Sequence, residues 1–453
     1  MKIIVAGAGR IGGSLAEVLA QEGHDITVID RDEETLSHLA DDVDVICLGG
    51  SATNSDILLE AGADSADLII AVTEKDEVNM VCGISAHKLG TPYVVARVRD
   101  PEYLGKSEFL QEALGISSVV NPEYECAKAI SRLLRFPSAA RVDSFSRGSA
   151  EIVEHRVRAG GMLDGLQLKE LQKKTDAKVL ISLVERNGEA VIPNGNFTFA
   201  ADDKLSITGT AKQLRKFFVA AGAYRRPIRS VIIFGGGRIT IYLTQLLQEI
   251  GITVTVIEPD RHICEALSEL IPEARIICGD AKRSQVLQEE GIATTDAFIA
   301  LTDDDGDNII TSFYAKHCGV GKIVTCVNHE HFAEIMNDSD LDCVVAPKQI
   351  VVQQITRYVR AMSDSAGSRM ETLYRLAEGK AEALEFIVGE DAKCTGIQLR
   401  DLRLKPHTLI ACVIRGNRSI LPDGTTKILP GDHAIVVTHA GRVKDLDDIL
   451  EGA

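Results

Sequence analysis

The two halves of the chain repeat one another. Gly7 and Gly235, and likewise Asp30 and Glu258, stand 228 residues apart; Gly50-Ser51-Ala52 answers to Gly279-Asp280-Ala281, Thr73 to Thr302 and Asn79 to Asn308 at 229. Pro193 and Gly195 return as Pro422 and Gly424 at 229, and Gly165 as Gly396 at 231. An offset held within three residues across a 453-residue chain is the mark of a gene duplication. Whatever fold the first half adopts, the second must adopt as well.

That fold is set by the opening. Lys2-Ile3-Ile4-Val5-Ala6 runs into Gly7-Ala8-Gly9-Arg10-Ile11-Gly12, a G-x-G-x-x-G between an apolar strand and a helix whose face is Ile11, Leu15, Val18 and Leu19. Gly7 permits the sharp turn, Gly9 leaves room for a pyrophosphate against the backbone, and Gly12 lets the helix approach the sheet. The helix start offers N–H groups and a partial positive charge to phosphate. Asp25-Ile26-Thr27-Val28-Ile29 forms the second strand, and Asp30 at its end is placed to accept hydrogen bonds from ribose hydroxyls. Asp30 would repel a 2′-phosphate and so favours NAD over NADP, with Arg31 acting in the opposite sense. The same ribose contact serves ATP, ADP or AMP.

Further apolar strands at Val45–Leu48, Leu68–Val72, Tyr93–Ala96 and Val119–Val120 alternate with helical patterns, as in a parallel sheet covered on both faces. Ligands of such sheets sit beyond the strands' carboxyl ends, where Gly7, Asp30, Ser51, Thr73 and Arg97 fall. The polar stretch Thr73–Glu77 reads as a loop before a helix from about Asn79, and Asn121-Pro122 as another helix start. From about Glu151 to Arg215 the pattern changes to short alternating strands with Asn187-Gly188 and Asn194-Gly195 turns, a smaller strand-rich domain. Tyr224-Arg225-Arg226-Pro227 reads as a linker. The expected domains are 1–135, 136–225, 226–360 and 361–453: two doubly wound parallel-sheet α/β domains, each followed by a small α+β domain.

In the second copy Gly235-Gly236-Gly237-Arg238-Ile239 keeps the phosphate loop, Glu258 the ribose acid, and Asp280 the place of Ser51. Thr240 replaces the third glycine and Cys326 stands in the place of Arg97, so weaker or different nucleotide binding is expected there.

Composition excludes other classes. Lys and Arg number 49 against 66 Asp and Glu, a net charge of −17, which opposes a broad nucleic-acid or anionic-lipid surface. With no Trp and 4% aromatic residues, base-stacking platforms are scarce. No apolar run is long enough to span a membrane, and a soluble, cytoplasmic protein is expected. Ten cysteines without a C-x-x-C pair suit a reducing compartment better than a disulfide framework or zinc site. Asp303-Asp304-Asp305-Gly306-Asp307 lacks two ligands of a calcium loop and reads as the counterpart of the loop after Thr73. His329-Glu330-His331 reads as an exposed connection rather than a metal motif.

Two nucleotide-binding domains of this kind, each with a small β-rich partner, resemble the TrkA family, tandem RCK-type regulators of Trk potassium uptake systems. Gly7 to Gly12, Asp30, Ala71-Val72-Thr73 with Glu74 and Asn79, and Arg97-Val98-Arg99 look like the family's first nucleotide site; Gly235 to Ile239 and Glu258 match in the second. The resemblance implies NAD or NADH and ATP or ADP as ligands, and no catalysis. It also implies a homotetramer docked peripherally on the inner face of the membrane against a potassium-translocating subunit of the TrkH type. An NAD-dependent dehydrogenase, or an RCK-type regulator of another cation transporter, are the alternatives; against the enzyme stands the lack of a catalytic domain of usual size.

Overall fold

Six strands build the first sheet, the central ones too continuously apolar to own a solvent face. The six are β1 (Lys2–Ala6), β2 (Asp25–Asp30), β3 (Ile46–Gly49), β4 (Leu68–Ala71), β5 (Tyr93–Arg97) and β6 (Ser118–Val120). Ile3, Ile4, Val5 and Ala6 are at most 1% exposed, because helices cover both faces. All pairings are parallel, in the order β3-β2-β1-β4-β5-β6. The order reverses between β1 and β4, which opens a crevice beyond their carboxyl ends. The computed structural model describes residues 1–100, 103, 114–223, 226–329, 332, 335–336, 341, 343–363, 368–416, 418–439 and 443–451. Tyr224 and Arg225 of the expected linker, and Glu330 and His331 of the histidine pair, lie outside them.

The covering helices are α1 (Arg10–Gln21), α2 (Glu33–Asp42), α3 (Ser55–Glu60) and α4 (Asp76–Leu89), and α5 (Pro122–Arg135) follows β6. α1 turns Gly12, Leu15, Ala16 and Leu19 inward. α4 begins at Asp76, three residues before the expected Asn79, since Asp76 and Glu77 are carboxylates in a first turn, where the helix dipole favours them. α5 starts at the Asn-Pro pair, and Asn121 Oδ1 accepts the Tyr124 N–H at 2.9 Å.

The first small domain is an antiparallel sheet of β7 (Arg141–Phe145), β8 (Ala150–Arg156), β9 (Leu180–Arg186), β10 (Glu189–Val191) and β11 (Lys204–Gly209), in the order β10-β9-β11-β8-β7. It also carries α6 (Leu168–Thr175) and α7 (Ala211–Ala220), which supply the helical part of the expected α+β domain within the span from Glu151 to Arg215 that reads as short strands. Asn187 and Gly188, at φ 54° and 75°, make the hairpin turn between β9 and β10.

The second half repeats both plans. β12 (Ser230–Phe234), β13 (Thr253–Glu258), β14 (Arg275–Cys278), β15 (Ala297–Ala300), β16 (Lys322–Cys326) and β17 (Cys343–Val345) take the order β14-β13-β12-β15-β16-β17. Their helices are α8 (Arg238–Glu249), α9 (Arg261–Leu270), α10 (Ser284–Glu289) and α11 (Asp305–His317), and α12 (Pro347–Ser363) follows β17. β18 (Arg369–Leu376), β19 (Ala381–Ile387), β20 (Thr408–Arg415), β21 (Arg418–Ile420) and β22 (His433–His439) form the second small sheet, β18-β19-β22-β20-β21, the same order as the first with strand for strand exchanged.

The chain packs as two compact units: Met1–Lys128 with Val327–Ala333 and Val345–Val359, and Ala129–Cys326 with Glu334–Val344 and Arg360–Ala453. Both small sheets belong to the second unit and share one core, in which Phe145, Ile152 and Leu183 meet Leu376, Ala411, Ile435 and Val437. Within it the rings of Phe145 and Tyr374 meet edge to face at 5.0 Å, and Tyr374 donates to the Ser144 carbonyl at 2.8 Å. No helix among the described residues is long and apolar enough to cross a membrane.

Candidate nucleotide sites

The first loop is closed by contacts that only glycine allows. Gly7 sits at φ 105°, and a Cβ there would lie 3.0 Å from the Thr73 nitrogen. At Gly12 a Cβ would lie 1.7 Å from the Gly7 carbonyl oxygen, so the helix rests directly on the strand end. Above Gly9 the space is open for 4 Å, so close packing within the chain does not explain that glycine, whereas a ligand against the backbone would. Gly9 is also the N-cap of α1, which no side chain caps, whereas Asp32 caps α2 by accepting from Glu34 and Thr35. First-turn amides of α1 are thus left for an outside acceptor.

Asp30 braces the loop from across the crevice. Its Oδ2 accepts the Ala8 N–H at 2.6 Å and its Oδ1 the Asp32 N–H at 3.0 Å. A carboxylate has about four acceptor positions, so capacity for two ribose hydroxyls remains. Ser51 accepts from Arg31 at 2.8 Å, tying the end of β3 to that of β2. On the β4 side Asn79 is fully buried; its Oδ1 accepts from Thr73 N at 2.8 Å and Thr73 Oγ1 at 2.7 Å, and its Nδ2 donates to the carbonyls of Thr73 and Arg97. Asn79 therefore fixes the ends of β4 and β5 together. Glu74 is exposed at the rim.

Arg97 lies inside, only 9% exposed, with one guanidinium nitrogen donating to the Thr73 carbonyl. Its Nε is buried without a hydrogen-bond partner among the described residues. Burial, then the neighbouring Arg99, pull its pKa below the ordinary guanidinium value. Sequence reasoning passed over Asp76, which accepts the backbone N–H groups of Arg99 and Asp100 at 2.8 and 2.9 Å. Only its place in the first turn of α4 hinted at a role.

The second copy reproduces this geometry with paired changes. Glu258 Oε2 accepts the Gly236 N–H at 2.7 Å and Oε1 the Asp260 N–H at 2.9 Å. Glutamate is one methylene longer than Asp30, and glycine replaces Ala8 opposite it; a Cβ at Gly236 would lie 2.9 Å from Glu258 Oε2. Gly237 caps α8 without a side-chain bond and faces open space, with Arg238 exposed and Ile239 half-buried beside it. Gly235 turns at φ 109°. Thr240 keeps the loop closed by other means: its hydroxyl donates to the Gly235 carbonyl at 2.6 Å, a hydrogen bond where the first copy has bare contact. Asn308 repeats the Asn79 network on Thr302 and on Cys326, whose thiol burial pushes up to about 12. Asp280 Oδ1 accepts the Lys282 N–H at 3.0 Å, and Lys282 pairs with Asp307 at 2.9 Å. Asp304 caps α11 by accepting from Asp307 N, so the acidic run is a helix start.

Comparison with known proteins agrees with this duplicated plan. The family model for the TrkA-N domain matches residues 3–122 and 231–347, and that for the TrkA-C domain residues 152–221 and 383–451. The chain is 32% identical over 459 aligned residues to the Trk system potassium uptake protein TrkA of Vibrio alginolyticus, covering 100% of this chain and 99% of that one. A TrkA homolog of Archaeoglobus fulgidus is 31% identical, covering 99% and 100%. Among solved structures, the RCK domain of the GsuK channel superposes with a TM-score of 0.62 at 20% identity, covering 97% of this chain and 92% of that one. The GsuK channel bound to NAD gives 0.61 at 19%, covering 97% and 77%. At such identity the likeness is one of fold.

Proposed function

The chain belongs to the TrkA family, whose TrkA-N and TrkA-C domains it carries twice in tandem, and from that premise we propose that it is the nucleotide-sensing regulatory subunit of a Trk-type potassium uptake system. Its ligands in this reading are NAD or NADH and ATP or ADP. The ion path belongs to a separate membrane subunit of the TrkH type, on whose cytoplasmic face a homotetramer of this chain docks.

One observation carries the reading. In both copies a strand-end carboxylate, Asp30 or Glu258, holds the amide of the loop's second residue beside a helix start that no side chain caps. That arrangement presents ribose acceptors and phosphate donors to the same crevice. Nucleotide then acts by linkage: it shifts the partner's gate only by as much as its affinities for the two states differ. Taking a gate from mostly shut to mostly open needs about 5.5 kcal/mol, or roughly 1.4 for each of four subunits. No group in the crevice is assigned a catalytic role.

Calorimetric titration of ATP, ADP, NAD and NADH into the wild type, Asp30→Ala and Glu258→Ala tests the sites. Each substitution should remove or weaken one class of binding; titrations unchanged in both variants would overturn the assignment. Co-purification with a potassium-translocating membrane protein, or its failure, tests the partner separately.

A further inference from the structure

Beyond the two crevices, a group of polar side chains beside the core shared by the small domains has no part in that reading; Glu371 is exposed, His433 half-buried and Glu385 buried. We propose that Glu371, Glu385 and His433, with Ser146, form a site for a small divalent cation of the zinc or manganese class. His433 Nδ1 lies 2.9 Å from Glu385 Oε1 and 3.3 Å from Glu371 Oε2, and the three ligating atoms fall within 4.8 Å of one another. Ser146 arrives from the turn between β7 and β8. Its hydroxyl is 3.2 Å from His433 Nδ1 and donates to Glu385 Oε1, and its N–H donates to Oε2 at 3.3 Å. Tetrahedral zinc with bonds of about 2.0–2.2 Å has ligand-to-ligand edges of about 3.3–3.6 Å. The two edges from His433 to the carboxylates, at 2.9 and 3.3 Å, lie within a few tenths of an ångström of that range, whereas calcium asks for about six to eight oxygens.

The duplication supplies an internal control. Glu154 in the first small domain occupies the place of Glu385, and Arg141 is paired with it across β7 and β8. Lys204 stands where His433 stands, and both Arg141 and Lys204 act on the Glu154 carboxylate as fixed positive charges. In the second domain the register puts Thr372 opposite Glu385, where the first has Arg141, and an irregularity between Met370 and Thr372 brings in a further carboxylate, Glu371. Two permanent cations have thus been exchanged for one imidazole and one more acid. Glu385 is 1% exposed, and a buried carboxylate requires a counter-charge. A divalent cation held beside His433 supplies one. Because Ser146 belongs to one small domain and the other three to its repeat, bound cation would fasten the two sheets together.

The test is calorimetric titration of the metal-stripped full chain with zinc, manganese and calcium chlorides, for wild type, Glu371→Gln and His433→Lys. The lysine variant restores the first domain's fixed charge, so it keeps the fold while removing a ligand. One zinc or manganese ion per chain is expected, weakened about 10–100-fold or more in both variants, with calcium binding far weaker. Cobalt substitution should give an oxygen and nitrogen spectrum without thiolate charge transfer, which separates this site from the exposed Cys278. Absence of binding to the wild type, equal affinity in the variants, or a thiolate signature would each overturn the proposal. None of these readouts depends on nucleotide.

Discussion

Gly12 and Thr240 occupy the same place in the two loops and solve it differently, and so they should respond differently to substitution. Gly12→Ala puts a methyl group 1.7 Å from a carbonyl oxygen; the loop must open, with a cost of about 1–3 kcal/mol and, on the proposed reading, loss of nucleotide binding there. Thr240→Ala removes only a hydroxyl bond, worth about 1 kcal/mol. Denaturant unfolding alongside nucleotide titration distinguishes the two. Glu151 sets a second expectation. It is 6% exposed, and burial raises its pKa to about 7, with Arg135 and Arg132 pulling the other way. An acid whose folded pKa is raised binds more protons folded than unfolded, so stability falls as pH rises from about 4.5 to about 7. The full effect is about 3 kcal/mol at one pKa unit per 1.36 kcal/mol. Glu151→Gln should flatten stability over that window and leave the variant more stable than wild type at pH 8; an unchanged pH profile would refute it.

At the level of elements, one ion pair recurs where β9 and β20 end. Arg186 donates to Asp203 through Nε and Nη2, both at 2.7 Å, and to the Thr198 carbonyl; Arg415 does the same to Asp432 and Lys427. Asp203 is 1% exposed and also accepts from Ala200 N, so Asp203→Ala orphans several donors at once. Arg186 keeps 38% of its side chain in solvent, which tempers the loss to about 2 kcal/mol, readable as a shift in the denaturant midpoint. Much at this level could be read from residues alone. Runs such as Leu68–Ala71 have no polar face, and the spacing of glycines and acids placed both loops and both strand-end carboxylates where the structure has them. β7 could not be read in this way, because Arg141 and Asp143 interrupt its apolar pattern and pair with each other at 3.0 Å. Nor could α6 and α7, short amphipathic helices inside a stretch punctuated by turns. Asp76 and the cluster around Glu385 were equally hidden: one serves main-chain amides, and the other joins Ser146 to a carboxylate 239 positions away. Neither carries a local motif.

Over the whole molecule, the apolar seam between the small sheets determines what each half can do alone. A chain ended after residue 223 would expose Phe145, Ile152 and Leu183, which the second small sheet covers in the intact protein. Its own repeat is the natural substitute, so that fragment should form a homodimer; sedimentation showing a micromolar monomer would refute this. A pair made of two identical chains has a single gene behind both pockets, so every change in one is imposed on the other. Joining the repeats in one polypeptide lifts that constraint. On the proposed reading, Ala8 with Asp30 on one side and Gly236 with Glu258 on the other are two dialects of one recognition rule, free to drift apart until a single molecule can weigh one metabolite against another.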